Sequence, residues 1–181
     1  MKCVNVFRGA GVLVCAGAMG LGGCSGYHPG VYAGDGTMTG SPKAAPRYDV
    51  DLGPISLAAP SRSEYRLERL PGDNLLALIV LDEPTAAKQA WVDSSGTRVK
   101  MTLTDGDTGR ESVKSGPLVG GWSQTAESWD GERAEFEGIW FRPSRHSWYT
   151  LVVEVMVDRP QPNAPTMIAT VHVRGGGFGT Y

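Results

Sequence analysis

The chain has 181 residues, with 17 basic and 19 acidic side chains, three histidines and three cysteines. A slightly acidic chain of this length suits one domain with a substantial core and lacks the basic excess of a nucleic-acid binder. All three cysteines, Cys3, Cys15 and Cys24, fall within the first 24 residues. The remainder therefore has no disulfide and no thiol chemistry, and packing must stabilise it.

The amino end is tripartite. Lys2 and Arg8 give a positive front, and no charge occurs from Gly9 to Gly22. Within that interval Val12, Leu13, Val14, Ala16, Ala18, Met19 and Leu21 form an apolar core, shorter than the roughly 20 residues that span a bilayer. This is the pattern of a secretory signal over 1–23. It closes on Leu21-Gly22-Gly23-Cys24, which resembles the lipobox of bacterial lipoproteins. The resemblance covers the first 24 residues. It implies cleavage before Cys24, a diacylglyceryl thioether on its sulfur and acylation of the new amino end. At about 0.8 kcal/mol per buried CH₂, two or more chains hold a protein stably on a membrane. By the same resemblance, Ser25 stands where inner-membrane lipoproteins of enteric bacteria carry a retaining Asp, which implies an outer-membrane location facing the periplasm. Loss of Lys2 and Arg8 leaves 15 basic against 19 acidic side chains, so the membrane contact is expected through lipid and not through charge.

From Ser25 to about Pro46 the glycines 26, 30, 34, 36 and 40 and prolines 29, 42 and 46 predict a tether. About 22 flexible residues would give an r.m.s. reach of roughly 25 Å. Tyr27, His28 and Tyr32 could alternatively form a docking motif. The folded domain is expected over 48–175, with a loose tail at 176–181.

Alternation and turn signals then mark strands. Val50 and Leu52 alternate with Asp49 and Asp51, with Ile55 and Leu57 following a break at Pro54. Tyr65–Glu68 alternates again, and Pro71-Gly72-Asp73-Asn74 is a turn. Leu75–Leu81 is a continuous apolar run, expected as a central strand covered on both faces, and 65–70 with 75–81 reads as a hairpin. Thr85 can cap a helix of under two turns through Trp91, placed as a crossover between sheets. Arg98–Thr104 and the short return strand Glu111–Lys114 flank the turn Asp105-Gly106-Asp107-Thr108-Gly109. A strand is allowed within 122–129. Ala134, Phe136, Gly138 and Trp140 share an expected core face, as do Tyr149, Leu151, Val153, Val155 and Val157, and then Met167, Ala169, Val171 and Val173. The stretch from Phe141 and Pro143 through Tyr149 looks like the penultimate hairpin of many sandwich modules, including carbohydrate-binding and immunoglobulin-like ones. The sum is an all-β fold: an antiparallel β-sandwich of eight or nine strands with Greek-key or jelly-roll connections and at most one short helix. No internal repeat is present.

Catalytic chemistry has little footing. Gly121-Trp122-Ser123-Gln124-Thr125 is half of a nucleophile elbow and lies among strands. His28, His146 and His172 lack ligand spacing. Glu135 and Glu137 on one strand face read as solvated neighbours rather than a glycosidase pair. Asp105 and Asp107 resemble the opening of a calcium loop, but Gly109 and Gly116 occupy later ligand positions. No cofactor is expected, and the chain reads as a non-enzyme. Trp122, Trp129, Trp140 and Trp148 cluster with Phe136, Phe141 and Tyr149. Trp122 and Trp129, in Gly- and Ser-rich surroundings, are the expected exposed binding residues, with Asp130 and Arg133 as polar neighbours. The expectation is a lipid-anchored envelope protein presenting its sandwich to a protein partner, as an accessory subunit of an envelope assembly. The alternative is a glycan- or peptidoglycan-binding module.

Overall fold

The computed structural model describes residues 32–39, 48–118, 123–124, 133–144, 146–160 and 164–175. Eleven strands and one helix occur among them: β1 (Ala33–Gly34), β2 (Thr37–Met38), β3 (Asp49–Ser56), β4 (Ser61–Glu68), β5 (Leu75–Asp82), α1 (Ala86–Ser95), β6 (Arg98–Asp105), β7 (Glu111–Pro117), β8 (Ser123–Gln124), β9 (Arg133–Phe141), β10 (Trp148–Met156) and β11 (Ile168–Gly175). They form two antiparallel sheets, β1-β4-β10-β6-β7 and β2-β3-β11-β5-β9-β8. The fold is the expected all-β sandwich, with three two-residue strands beside eight longer ones.

Alternation decides the core. Tyr149, Leu151, Val153 and Val155 of β10 and Ala169, Val171 and Val173 of β11 belong to one buried cluster. Val99, Met101 and Leu103 of β6 and Val50, Leu52 and Ile55 of β3 join them. β3 carries its break as a bulge, where the register with β11 shifts and Gly53 adopts φ +105°. Thr85 caps α1 by accepting the Lys88 amide, and Gly96 ends it in the left-handed region. The helix is longer than the sequence predicts. It joins β5 of one sheet to β6 of the other, and its Trp91, Val92 and Ser95 are buried at that end of the sandwich.

Three expectations are corrected. β4 and β5 do not form a hairpin but lie in opposite sheets. β4 is apolar on one face and pairs with β10, whereas β5 is apolar on both and sits between β11 and β9. The 69–74 link therefore crosses the sandwich. The Phe141–Tyr149 stretch is likewise an arch between sheets, with the two rings meeting across the gap at 5.5 Å between centroids. Third, Trp140 is not in the core. The register between β5 and β9 shifts at Gly138, so that Ala77 faces Ile139 while Leu78 faces Glu137. The extra residue exchanges the two faces beyond it. Ile139 is buried, and Trp140 is 41% exposed.

Residues 32–39, within the expected tether, fold against the sandwich. β1 pairs with β4 and β2 with β3, so this segment laces the edges of both sheets. Asp35 imitates a strand residue: its amide donates to the Arg66 carbonyl, and its carboxylate accepts the Arg66 amide at 2.7 Å. Burial first, then the charges of Asp35 and Glu68, push the Tyr32 hydroxyl pKa up. The protonated hydroxyl donates to the Asp35 carbonyl at 2.6 Å.

β5 is buried on both faces, as expected. Leu75, Ala77, Ile79 and Leu81 enter the main core, while Leu76, Leu78 and Val80 form a second cluster on the outer face. Across that face runs a chain of charges. His172 Nδ1 lies 2.9 Å from Asp49 Oδ1, Arg174 Nε donates to Asp49 Oδ2 at 3.3 Å, and Arg174 Nη1 reaches Glu135 at 2.5 Å. Arg174 thus extends from β11 over β5 to β9. Burial opposes ionisation of Asp49, but the His172 hydrogen bond and the Arg174 charge outweigh it and hold the carboxyl below its ordinary pKa.

Two predictions follow from these contacts. A Cβ at Gly138 would lie 2.6 Å from both the Ala77 carbonyl oxygen and Met101 Sδ. Gly138→Ala should cost about 1–3 kcal/mol, read as a lower urea midpoint at unchanged m. Because the Asp49 pKa is depressed on folding, its stabilisation is present above the ordinary aspartate pKa and lost as pH falls through the lower folded value. Asp49→Asn should cost about 1–3 kcal/mol at pH 7, and the gap to the parent should close as pH falls below about 4, the ordinary aspartate pKa. A gap independent of pH would show that the carboxylate charge does not stabilise the fold.

Candidate functional site

The end of the sandwich opposite α1 carries three connections: 69–74, 106–110 and the link from β9 to β10, described at 142–144 and 146–147. They are tied into one rim. Arg142 Nε donates to the Gly72 carbonyl at 3.0 Å, the Gly106 amide donates to the Trp148 carbonyl at 2.8 Å, and the Ser144 amide donates to the Tyr149 hydroxyl at 3.1 Å. Two clefts open on this rim and share Ser144 between them.

The first cleft, about 260 Å³, is lined by Arg66, Glu68, Arg69, His146, Ser147 and Trp148 among others. Trp148 and Arg66 occupy diagonal positions on the outer face of the β4–β10 pair. The Arg66 guanidinium lies over the indole, 4.5 Å from its centroid, while Nε donates to Glu68 at 2.5 Å. Gly106 backs the indole closely: a Cβ there would come 2.1 Å from Cε2. Trp148 is thereby a fixed platform for the guanidinium. Arg69 and His146, both exposed, adopt φ +55° and +69°. Left-handed backbone in non-glycine residues costs roughly 1–2 kcal/mol each; of the three instances among the described residues, Arg69 and His146 line this cleft, while Glu83, at φ +49°, precedes α1 at the other end.

The second cleft, about 310 Å³, lies at the mouth between the sheets, with Asp105, Arg110, Ser112, Trp140, Arg142 and Tyr149 in its lining. The bulge at Gly138 turns Trp140 to the outer face of its sheet, opposite Leu76 and at the edge of this cleft. Asp105 is committed to the turn. Its Oδ1 accepts the amides of Asp107 at 3.0 Å and Thr108 at 2.9 Å. A burial cost opposes its ionisation, but those amides outweigh it and keep the carboxyl below its ordinary pKa. This is a geometric role for Asp105, which with Asp107 resembles the opening of a calcium loop in the sequence, and Asp107 is exposed beside it. Among the described residues no group of three or more His, Cys, Asp or Glu side chains converges as a metal site.

The sequence-predicted site residues distribute differently. Cys24, Trp122, Trp129 and Asp130 lie outside the described residues. Arg133 begins β9 opposite Asp82, at the α1 end and away from the rim. His172 belongs to the charge chain over β5, while His146 reaches the rim. Sequence reasoning missed Arg66, Arg69 and Arg142. The one usable signal was the turn Pro71-Gly72, which marks where the chain leaves β4 for the other sheet.

Protein-family models give no match to this chain. Curated proteins give none either.

The left-handed position at Arg69 supplies a direct check. Arg69→Gly should leave the unfolding free energy from urea titration within about 0.5 kcal/mol of the parent, since relief of strain offsets added unfolded-state entropy. Arg69→Val, β-branched at positive φ, should lose about 1–2 kcal/mol. Equal stability of the two variants would mean that the backbone there is not held in this conformation.

Proposed function

We propose that this chain is a lipid-anchored lipoprotein of the bacterial envelope, held at Cys24 in the outer membrane and facing the periplasm, and that its sandwich is a non-enzymatic module that binds a protein partner through the rim. The observation that carries the binding part is the gathering of arginine and large aromatic side chains at one end: Arg66, Arg69, Arg110 and Arg142 with Trp140 and Trp148. Arg and Trp dominate the energetics of protein interfaces because they bury large areas and donate several hydrogen bonds at once. The cross-linked loops hold these groups in place before binding, which lowers the ordering cost of association. The anchor part is supported by the lipobox-like residues Leu21-Gly22-Gly23-Cys24. Under this reading the chain serves as an accessory subunit of an envelope assembly.

A second reading, a glycan-binding module, draws support from one observation: Trp140 is 41% exposed beside the second cleft, and exposed indoles stack on sugar faces.

Both parts are testable in cells. The full chain should incorporate labelled palmitate and sediment with the outer membrane, and Cys24→Ser should lose both properties. A photoreactive residue at Asp107, on the rim, should cross-link one defined envelope protein, whereas the same group at Lys88, at the α1 end, should not. Label-free, soluble parent protein would refute the anchor. Absence of a rim-specific protein adduct, with retention on cell-wall glycan that Trp140→Ala removes, would establish the second reading in place of the first.

A further inference from the structure

Resting on the reading of the rim as a protein-binding surface, we infer that the first cleft is a carboxylate receptor, which takes an acidic side chain from an extended segment of the partner between Arg66 and Arg69. Three features converge on this chemistry. Arg66 is fixed by the indole beneath it and by Glu68 at its Nε, so its two terminal nitrogens remain the donors directed elsewhere. A planar pair of donors in that geometry matches a carboxylate bidentately. Arg69, three residues on and lining the same cleft, has no hydrogen-bonding or charged partner for its side chain among the described residues. Among the residues lining this cleft Glu68 is answered by Arg66, so Arg69 leaves one positive charge in excess there, with the Asp35 carboxylate on the far side of Arg66 held by the Arg66 amide. Ser144 and Ser147, also in the lining, add hydroxyls suited to a second carboxylate oxygen.

The backbone supports a binding role for this cleft over a purely structural one. Arg69 and His146 enter it from different connections, each at positive φ. Strain of that kind persists where surrounding structure enforces it, and here it brings the side chains of Arg69 and His146 to one volume. The cleft is polar and shallow, which suits the tip of an Asp or Glu side chain rather than a buried apolar anchor. An extended acidic segment is favoured over an acidic sugar because Trp148, the indole in the lining of this cleft, already has Arg66 over it and Gly106 packed against it. It offers little stacking surface to a saccharide.

The test uses the full chain purified in nonionic detergent, titrated by calorimetry with three probes: a hexapeptide alternating Glu and Gly, its Gln analogue, and an oligogalacturonate of similar charge. The Glu peptide should bind, the Gln analogue should bind at least about tenfold more weakly, and the oligogalacturonate should not compete. Arg69→Gln and Arg66→Gln should each weaken the Glu peptide by about tenfold or more. Arg98→Gln, an exposed arginine at the α1 end, should leave it unchanged. Retained cooperative unfolding of each variant separates lost binding from lost fold. Equal binding of the Glu and Gln peptides, or undiminished binding by Arg69→Gln, would overturn the inference, as would preference for the oligogalacturonate. If no probe binds while the rim still yields its protein adduct in cells, the carboxylate receptor falls and the docking surface stands.

Discussion

The fold is governed by the need to cover one strand twice. β5 is apolar at every position from Leu75 to Leu81, and in a two-layer sandwich only one face of a sheet meets the core. Its inner residues are covered by the opposing sheet. Its outer residues, Leu76, Leu78 and Val80, have no third layer of helix or sheet among the described residues. Instead Arg174 stretches across them from β11 to β9, anchored at one end by Asp49 and at the other by Glu135. A long side chain can lay its aliphatic stem on apolar surface while its charge is answered at the edges. The charge chain is thus inseparable from the hydrophobic run it covers. An Arg174 without both acids would leave a partly buried charge uncompensated.

That same strand dictates the topology. A strand apolar on both faces belongs in the interior of its sheet, between two neighbours. β11 and β9 take those places, so β4, next to β5 in sequence, is excluded and pairs with β10 across the sandwich. The link between them must then pass over the end of the molecule. It is this forced crossing, together with the parallel crossing from β9 to β10, that builds the rim. Arg69 and Arg142 owe their positions to it. The candidate site is therefore a by-product of how β5 is buried.

What the sequence discloses and what it conceals follow from the same physics. A period of two reports which face a residue takes, and for β6, β10 and β11 the buried set agrees with alternation. It does not report which strand is the neighbour. Hairpin and arch leave identical alternation in the two strands they join, so both Tyr65–Leu81 and Phe141–Tyr149 read as hairpins. Alternation also assumes that no residue is inserted. Gly138 breaks that assumption in β9, and the consequence is large because the residue displaced to the surface is Trp140. Left-handed arginine and histidine carry no compositional mark at all, unlike Gly96 at the end of α1. The folding of 32–39 was hidden for another reason: glycine-rich sequence normally denotes a tether, yet here Asp35 supplies with its side chain the acceptor that a regular strand would supply with its backbone.

That last segment changes the geometry of the proposed anchorage. A leash beginning at Ser25 and running to 47 could extend to roughly 75 Å when taut. With β1 paired to β4, the chain joins the sandwich already at residue 33, opposite Glu68 at the rim. Eight steps from Cys24 to Tyr32 span no more than about 30 Å at full extension. If Cys24 sits in lipid, the end of the sandwich that carries Arg66, Arg69 and Trp148 is the end held nearest the membrane, and α1 is directed away from it. A partner reached through that rim must then offer its acidic segment close to the bilayer surface. A soluble protein approaching from the far side would meet α1, the start of β6 at Arg98 and the end of β10 at Met156 instead. The binding surface and the attachment point are coupled through two residue pairs of backbone, Ala33 with Glu68 and Gly34 with Leu67. Tension on the anchor would therefore be delivered to β4, the strand that carries Arg66.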